Sequence, residues 1–223
     1  VYPAPTRLTL NTADGRKTFG VGETIQLRFE TDSPVAGVTY KLSNRRAAAL
    51  SADGTLTLKR TGKLTVTATT YNGISAKLTL TIKRAPKSVS LKLARAELGV
   101  GETSNISVTL PKGRGGSWTL ESSDSAIAAI SGNSIAAAAP GTVKITARTF
   151  NGKTSSQTLT VRPAPESVSF DRDSLTLGAG EKFTLKANLN SGSAGSIHYS
   201  AQGDCIQVDA SGKITALKEG EAT

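Results

Sequence analysis

The stretch LGVGETSNI (Leu98–Ile106) has two counterparts elsewhere in the chain, FGVGETIQL (Phe19–Leu27) and LGAGEKFTL (Leu177–Leu185). Their glutamates are 79 residues apart, and the same interval separates the motifs YNG (Tyr71–Gly73) and FNG (Phe150–Gly152). A fixed period of this length is the mark of tandem structural repeats. The chain is therefore expected to contain about three copies of one small unit.

The period sets the expected boundaries: 1–5 as the end of a preceding repeat, then repeats at 6–84, 85–163 and 164–223. VYPAP at the start matches VRPAP before the third repeat, so Val1 corresponds to the last residue of an upstream copy. The third repeat is shorter than the others, which predicts an open sheet edge there unless further chain or another strand covers it. No apolar run is long enough to span a bilayer, and we expect any export or anchoring signal outside these residues.

Apolar residues alternate with Thr, Ser and charged residues in each copy. Leu64, Val66 and Ala68 show the pattern in the first copy, and Val143 and Ile145 show it in the second. A period of two predicts strands with one buried and one solvated face. The Ala-rich segment 126–139 would suit a helix by propensity. Its counterparts carry Asp-Gly or Ser-Gly between β-branched residues, so we expect strands there too.

Turn residues separate these strands at regular intervals. Asn-Gly between two strands favours a tight hairpin, and the Gly-x-Gly-Glu stretch favours a corner between two sheets. The predicted structural turns are Asn72, Gly73, Asn151 and Gly152, with the corners Gly20, Gly22, Glu23, Gly99, Gly101, Glu102, Gly178, Gly180 and Glu181. About seven short strands per copy predict tandem immunoglobulin-like antiparallel β-sandwiches, and the short Pro-containing linkers predict an elongated rod.

Longer motifs make the resemblance specific. The second copy reads APKSVSL, LGVGETSNI, SSDSAIAAI and APGTVKITA before its FNG hairpin. In these motifs the chain resembles the bacterial immunoglobulin-like domain, group 2, which occurs in tandem in intimin, invasin and leptospiral surface proteins. The resemblance covers the first two copies and about three quarters of the third. It implies a β-sandwich fold and a place on the bacterial surface or outside the cell.

A phosphate-binding loop is the alternative interpretation of the corner stretch. Such a loop needs glycines that open a helix N-terminus. Here Gly99 and Gly101 lead into a strand, and the following Glu102 would repel phosphate. We therefore interpret the stretch as architecture: Val21, Val100 or Ala179 turns inward, and the glutamate accepts hydrogen bonds from neighbouring backbone N–H groups.

Positive charge is concentrated in the first two copies. The chain carries a net charge of +10. Residues 6–84 hold 13 Lys/Arg against 5 Asp/Glu, residues 85–163 hold 9 against 4, and residues 164–223 hold 5 against 8. This gradient suits either solvated outward faces or attachment to a polyanion. Specific nucleic-acid binding is not expected, because aromatic residues make up only 4% of the chain and no recognition helix is predicted.

Two places are candidate ligand-binding surfaces. The first is the pair Arg45 and Arg46, and the second is the loop PKGRGGSW, with Lys112, Arg114 and Trp118. Loops on rigid sandwiches often carry binding. The alternative for Trp118 is that it begins a strand and fills the core.

Single reactive residues do not form a catalytic pattern. His198 is the only histidine, which excludes a His cluster or a Ser–His relay within this sequence, and its strand phase points outward. Cys205 is the only cysteine and suits either a small buried hydrophobe in a strand or a free thiol. Asp171, Asp173, Asp204 and Asp209 lack EF-hand spacing but offer oxygens for a structural calcium ion. We predict no enzyme activity and no cofactor.

The sequence is compatible with three functions. The first is a non-catalytic surface or secreted stalk, expected to be monomeric, that spaces and presents a distal domain. The second is a binding module for a cell-wall polymer, glycan or host surface protein through basic repeat 1 or residues 112–118. The third is an accessory region of a larger extracellular carbohydrate-active enzyme.

Overall fold

A computed structural model describes residues 2–223, and Val1, with the interpretation placed on it, lies outside them. The described residues contain 21 strands and no helix. The all-β fold class expected from the period-two alternation is confirmed. The strands are β1 Leu8–Thr12, β2 Thr18–Gly20, β3 Thr24–Thr31, β4 Thr39–Leu42, β5 Ala48–Leu50, β6 Thr55–Leu58, β7 Gly62–Thr69, β8 Ser75–Lys83, β9 Ser90–Leu93, β10 Glu97–Gly99, β11 Thr103–Thr109, β12 Trp118–Ser122, β13 Ala128–Ser131, β14 Ser134–Ala137, β15 Gly141–Thr149, β16 Thr154–Arg162, β17 Val168–Phe170, β18 Lys182–Thr184, β19 Ala187–Leu189, β20 Ile206–Val208 and β21 Lys213–Ala216.

The described residues form two compact units. Unit 1 comprises the residues up to Lys92 with Val108–Glu121 and Thr146–Ser156, and unit 2 comprises Leu93–Ser107, Ser122–Ile145 and Gln157–Thr223. Each unit therefore contains one linker and the segments on both sides of it. The repeat boundaries 6–84, 85–163 and 164–223 remain a prediction from the 79-residue period.

In unit 1, strands β1–β8 form two four-stranded sheets, in the orders β1-β3-β6-β5 and β2-β8-β7-β4. The inward positions of both sheets form one hydrophobic cluster, in which Leu56, Leu64 and Leu80 are fully buried. Burying a Leu side chain stabilises a fold by about 1.5–3 kcal/mol. In β7 the buried residues alternate with Thr, as the sequence pattern predicts.

The strand order recurs in β9–β16, as β10-β16-β15-β12 and β13-β14-β11-β9. The Ala-rich segment forms the hairpin β13–β14, so the strand prediction there is confirmed. The pairing aligns Ile130 with Ile135 across a turn in which Gly132 has φ +57°. Tertiary pairing of apolar side chains thus overrides the helix propensity of alanine.

The first two copies have eight strands each, where the sequence predicted seven. The additional strands are β2 and β10, which pair in parallel with β8 and β16, so the sheets are not purely antiparallel. Each additional strand precedes the Gly-x-Gly-Glu corner, and the chain crosses there to β3 or β11 in the other sheet. A three-residue strand is too short to show a period of two, which is why it escaped the pattern.

Residues 164–223 form five strands, in sheets ordered β17-β19 and β18-β21-β20. The opening strand of these residues is more exposed than its counterpart in the first copy. Val168 and Phe170 are 60% and 54% exposed, whereas their first-copy counterparts Leu8 and Leu10 are 8% and 6% exposed. The expectation that Ala179 turns inward is wrong, because this residue is exposed in the less covered corner; Val21 and Val100 are half-buried.

Candidate functional site

The predicted ligand-binding residues lie on two different segments of unit 1. Arg45 and Arg46 are exposed in the turn between β4 and β5. Lys112 is exposed in the loop before β12, whereas Arg114 is half-buried and donates from Nη1 to the Ala85 carbonyl at 3.0 Å. Trp118 begins β12 and is half-buried, so it neither fills the core completely nor stands free. The loop is thus packed on the linker through Arg114, whereas Arg45 and Arg46 lie on a separate turn.

The Gly-x-Gly-Glu corner of the first copy reaches into the next copy. Glu23 is buried, and its Oε2 accepts a hydrogen bond from the Gly20 N–H at 2.6 Å. Its Oε1 accepts from Arg16 Nη2 at 3.1 Å and from the Ser117 N–H at 2.8 Å. Ser117 lies 94 residues further along the chain. One carboxylate therefore joins its own corner, a local cation and the following copy.

The second corner, in unit 2, repeats this arrangement. Glu102 accepts from the Gly99 N–H at 2.8 Å and pairs in bidentate geometry with Arg95, with both N–O distances 2.8 Å. The Ser196 hydroxyl donates to Glu102 Oε1 at 2.5 Å, again across 94 residues. Bidentate Arg–carboxylate pairs are strong and geometrically specific. Arg16 and Arg95 are themselves 79 residues apart, so the cation belongs to the repeat.

The ion pair at the second corner shifts the pKa values of both its partners. The hydrogen-bonded Arg95 guanidinium lowers the pKa of Glu102 to about 2, and the Ser196 hydroxyl and Gly99 N–H act in the same direction against the effect of burial. The same pair raises the pKa of Arg95. Both groups stay charged over the physiological pH range, so the contact acts as a permanent link and performs no proton transfer.

The third corner keeps the hydrogen bond between its first glycine and its glutamate, but within the described residues it lacks the arginine and the contact with a following copy. The Gly178 N–H donates to Glu181 Oε2 at 2.9 Å, but position 174, which corresponds to Arg16 and Arg95, is a serine. Glu181 is exposed. The corner turn therefore forms from its own residues. It requires neither the arginine nor a contact with the following copy.

In the first and second corners, the first glycine allows close approach of the next copy. A Cβ at Gly20 would lie 2.8 Å from Phe150 Cε1 and overlap the Gly115 carbonyl, and a Cβ at Gly99 would overlap the carbonyl group of Ala194. Gly115 and Ala194 are 79 residues apart. The second glycine has a different role, because Gly22 and Gly101 have φ +93° and +88°, a conformation that side chains disfavour.

Linker carbonyls are also held by the copy that follows. Asn72 Nδ2 donates to the Pro5 carbonyl and Asn151 Nδ2 donates to the Pro86 carbonyl, both at 2.8 Å. These asparagines come from the predicted aromatic-Asn-Gly hairpins. Sequence reasoning found the hairpins and the corners, but it missed their contacts with the linker and the neighbouring copy. The coincidence of Arg16 and Arg95, and of Ser117 and Ser196, at the 79-residue interval is the signal that could have found them.

The remaining candidates form no reactive centre within residues 2–223. His198 is exposed. Cys205 is a buried free thiol in a bend immediately before β20. No group of three or more His, Cys, Asp or Glu side chains in these residues is placed to hold a metal ion; Asp209 accepts bonds from its own turn, and Asp204 pairs with Lys218. In the same residues no helix is long and apolar enough to cross a membrane.

No protein-family model and no curated protein matches the sequence. Solved structures similar to the chain include domains 4 and 5 of the S-layer protein SbsC, at 14% identity over 71% of this chain and 99% of that chain, with a TM-score of 0.33. A C-terminal 282-residue fragment of intimin, in complex with the intimin-binding domain of the translocated intimin receptor, matches at 17% identity over 74% of this chain and 67% of that chain, with a TM-score of 0.31.

The adhesin InvE of Yersinia pseudotuberculosis is similar at 15% identity over 92% of this chain and 72% of that chain, with a TM-score of 0.34. At these identities and TM-scores, the similarities transfer no ligand or activity to this chain. The fold assignment rests on the strand pairing described above.

Proposed function

We propose that this chain is a non-catalytic stalk segment of a bacterial surface or exported protein. In this proposal, group 2 immunoglobulin-like domains follow one another in tandem and hold a distal part of the protein away from its anchor. The partners of the parent protein would be host surface proteins, glycans or cell-wall polymers. The role of this chain would be to set the distance between the anchor and the distal part.

The observation that carries the proposal is that equivalent positions make the contacts between copies at both linkers. Glu23 and Glu102 each contact a serine 94 residues further on. Gly20 and Gly99 each lie against the same loop position of the following copy. A spacer needs a fixed relation between successive domains, and a contact that recurs with the repeat supplies one at every linker.

Small-angle X-ray scattering of the chain tests the proposal. Three domains of about 35–40 Å each, placed end to end, give a rod of roughly 110 Å with a radius of gyration of about 30 Å. A single compact particle of this length would have a radius of gyration of about 17 Å. The larger value is expected, and the smaller one would contradict the stalk.

Stiffness is tested with corner variants. Replacing Glu23 and Glu102 together by Ala is expected to broaden the distribution of interatomic distances, since the carboxylate contact between copies is lost at each linker. Glu181→Ala is the matched control, because the hydrogen bond of the Glu181 side chain in the described residues stays within its own corner. Equal scattering curves for the three proteins would show that the glutamates do not stiffen the chain.

A further inference from the structure

A basic cleft lies at the first linker, inside unit 1. It has a volume of about 630 Å³ and is lined by Arg84, Lys87, Arg114 and Lys153, together with Val21, Ala85, Pro86 and Asn151. None of these described lining residues is acidic. The four cations come from the linker, from the loop before β12 and from the FNG hairpin, segments separated by up to 69 residues in sequence. The fold therefore gathers them.

The backbone under these cations is fixed. The Arg84 carbonyl accepts from the Gly115 N–H at 3.1 Å, the Ala85 carbonyl from Arg114 Nη1 at 3.0 Å, and the Pro86 carbonyl from Asn151 Nδ2 at 2.8 Å. Three consecutive linker residues are thus tied to the following copy. A ligand that binds here does not have to order the linker, which lowers the entropic cost of binding.

The charges of the cleft are not neutralised by the protein. Arg84, Lys87 and Lys153 are exposed, and none of the four cations forms a salt bridge with a described residue. By contrast, Arg16, Arg95 and Arg162 are paired with carboxylates. Like charges collected in one cleft raise the local positive potential, which attracts anions and is relieved by binding them.

The cleft is specific to the first linker. At the 79-residue interval, Arg84 corresponds to Pro163, Lys87 to Glu166 and Arg114 to Ser193. The cleft at the second linker is lined instead by the paired Arg95 and Glu102, with Ser196 and His198. Three of the four cations at the first linker therefore have no cationic counterpart at the second.

We propose that this cleft is a binding site for a linear polyanion that carries closely spaced sulfate or phosphate groups along a polysaccharide or polyol-phosphate chain. The cleft is open and three of its four cations are exposed, so one small anion gains little against salt screening. A polymer that places several anionic groups on the four cations at once releases many counterions and gains affinity from each contact. The site adds a wall- or matrix-binding function to the chain and does not depend on the stalk proposal.

Binding is measured by titration calorimetry with the full chain at low and at physiological salt. The probes are a heparin-derived oligosaccharide and a poly(glycerol phosphate), with vesicles of anionic phospholipid as a third arm. Binding to one or both polymers, weakening steeply with salt, is expected. No binding to either polymer at low salt, or binding to the vesicles alone, would overturn the proposal.

The site is located with two double variants of equal charge change. Lys87→Glu with Lys153→Glu is expected to weaken polymer binding at least about 30-fold, since each cation near an anionic surface contributes roughly fivefold. Arg45→Glu with Arg46→Glu reverses two exposed charges in the β4–β5 turn, which does not line the cleft, and is expected to weaken binding by no more than about threefold. Equal weakening by the two variants would assign binding to the overall field of the chain and refute the cleft.

Folding of both variants is checked by thermal unfolding, and all four positions are exposed. Lys87→Glu alone provides a second, milder variant, because it introduces the residue that the second linker already carries as Glu166. Its expected effect on polymer binding is a weakening of at least about fivefold. An unchanged affinity would remove Lys87 from the site and count against the proposal.

Discussion

Within each corner, the first glycine is required by the neighbouring copy and the second by the backbone conformation. Gly99→Ala would place a Cβ 2.8 Å from the Ala194 carbonyl carbon and still closer to its oxygen. Because backbone atoms cannot move aside as a flexible side chain can, we expect the substitution to lower the free energy of unfolding by about 1–3 kcal/mol. Chemical denaturation with a β-sheet circular dichroism signal measures the change.

Gly178→Ala is the control, since it makes the same substitution at the same motif position in the third copy. Its Cβ would meet nothing closer than Glu181 Oε2 at 3.7 Å, and Gly178 is not among the positive-φ glycines. We expect a change within about 1 kcal/mol, in the stabilising direction. Similar losses for Gly99→Ala and Gly178→Ala would mean that the close approach to Ala194 is not what constrains Gly99.

The Glu102 carboxylate gives the second corner a defined pH dependence. Its pKa falls from an ordinary value of 4.5 to about 2, mainly because of the Arg95 hydrogen bonds. A group whose pKa is lowered by folding stabilises the fold above its unfolded pKa and loses this contribution as pH falls through its folded pKa. The contribution of Glu102 is therefore complete above about pH 4.5 and disappears towards pH 2.

Glu102→Gln tests this dependence. The difference in melting temperature between wild type and variant is expected to be largest above pH 4.5 and to shrink as the pH approaches 2, measured by calorimetry in a series of buffers. Glu181→Gln should show a much smaller difference at every pH, because the third corner has no arginine at position 174. A wild-type-to-variant difference that stays constant from pH 7 to pH 2 would contradict the link with Arg95.

At the scale of elements, the sequence predicted each strand that is long enough to repeat the apolar–polar alternation at least twice. In β15 the buried residues Val143, Ile145 and Ala147 alternate as expected. The Ala-rich hairpin was predictable only because the equivalent segments of the other copies contain Asp-Gly or Ser-Gly, which disfavour a helix. Period and repeat together therefore predicted the main strands and their sheets.

The elements that were missed are those with no local pattern. Strand β2 has three residues, and its parallel partner β8 begins at Ser75, far along the chain. The Glu23–Ser117 contact spans 94 residues and depends on how two copies meet. Such features are set by tertiary geometry, so they cannot be predicted from the sequence of a single copy. Their residues are found only when the copies are compared at the repeat interval.

At the scale of the whole molecule, the copies differ in how many strands support the same local structure. One hydrogen bond recurs in all three: the N–H of Leu58, Ala137 or Ala216 donates to the carbonyl of the corner glutamate, at 3.0, 2.9 and 2.9 Å. The three donors are similarly buried, at 1%, 4% and 5% exposure. These amides therefore compare the copies under matched local conditions.

Hydrogen exchange at these amides is expected to show a gradient along the chain. Protection depends on the free energy of the cooperative opening that exposes the amide, and not on its static burial alone. Leu58 and Ala137 belong to copies of eight strands, whereas Ala216 belongs to a copy of five whose Val168 and Phe170 are more than half exposed. We expect Ala216 to exchange roughly tenfold faster or more, as measured by NMR. Equal protection at all three sites, independent of protein concentration, would show that five strands already form a complete folding unit; protection of Ala216 that rises with concentration would instead show that a second chain covers the exposed strands.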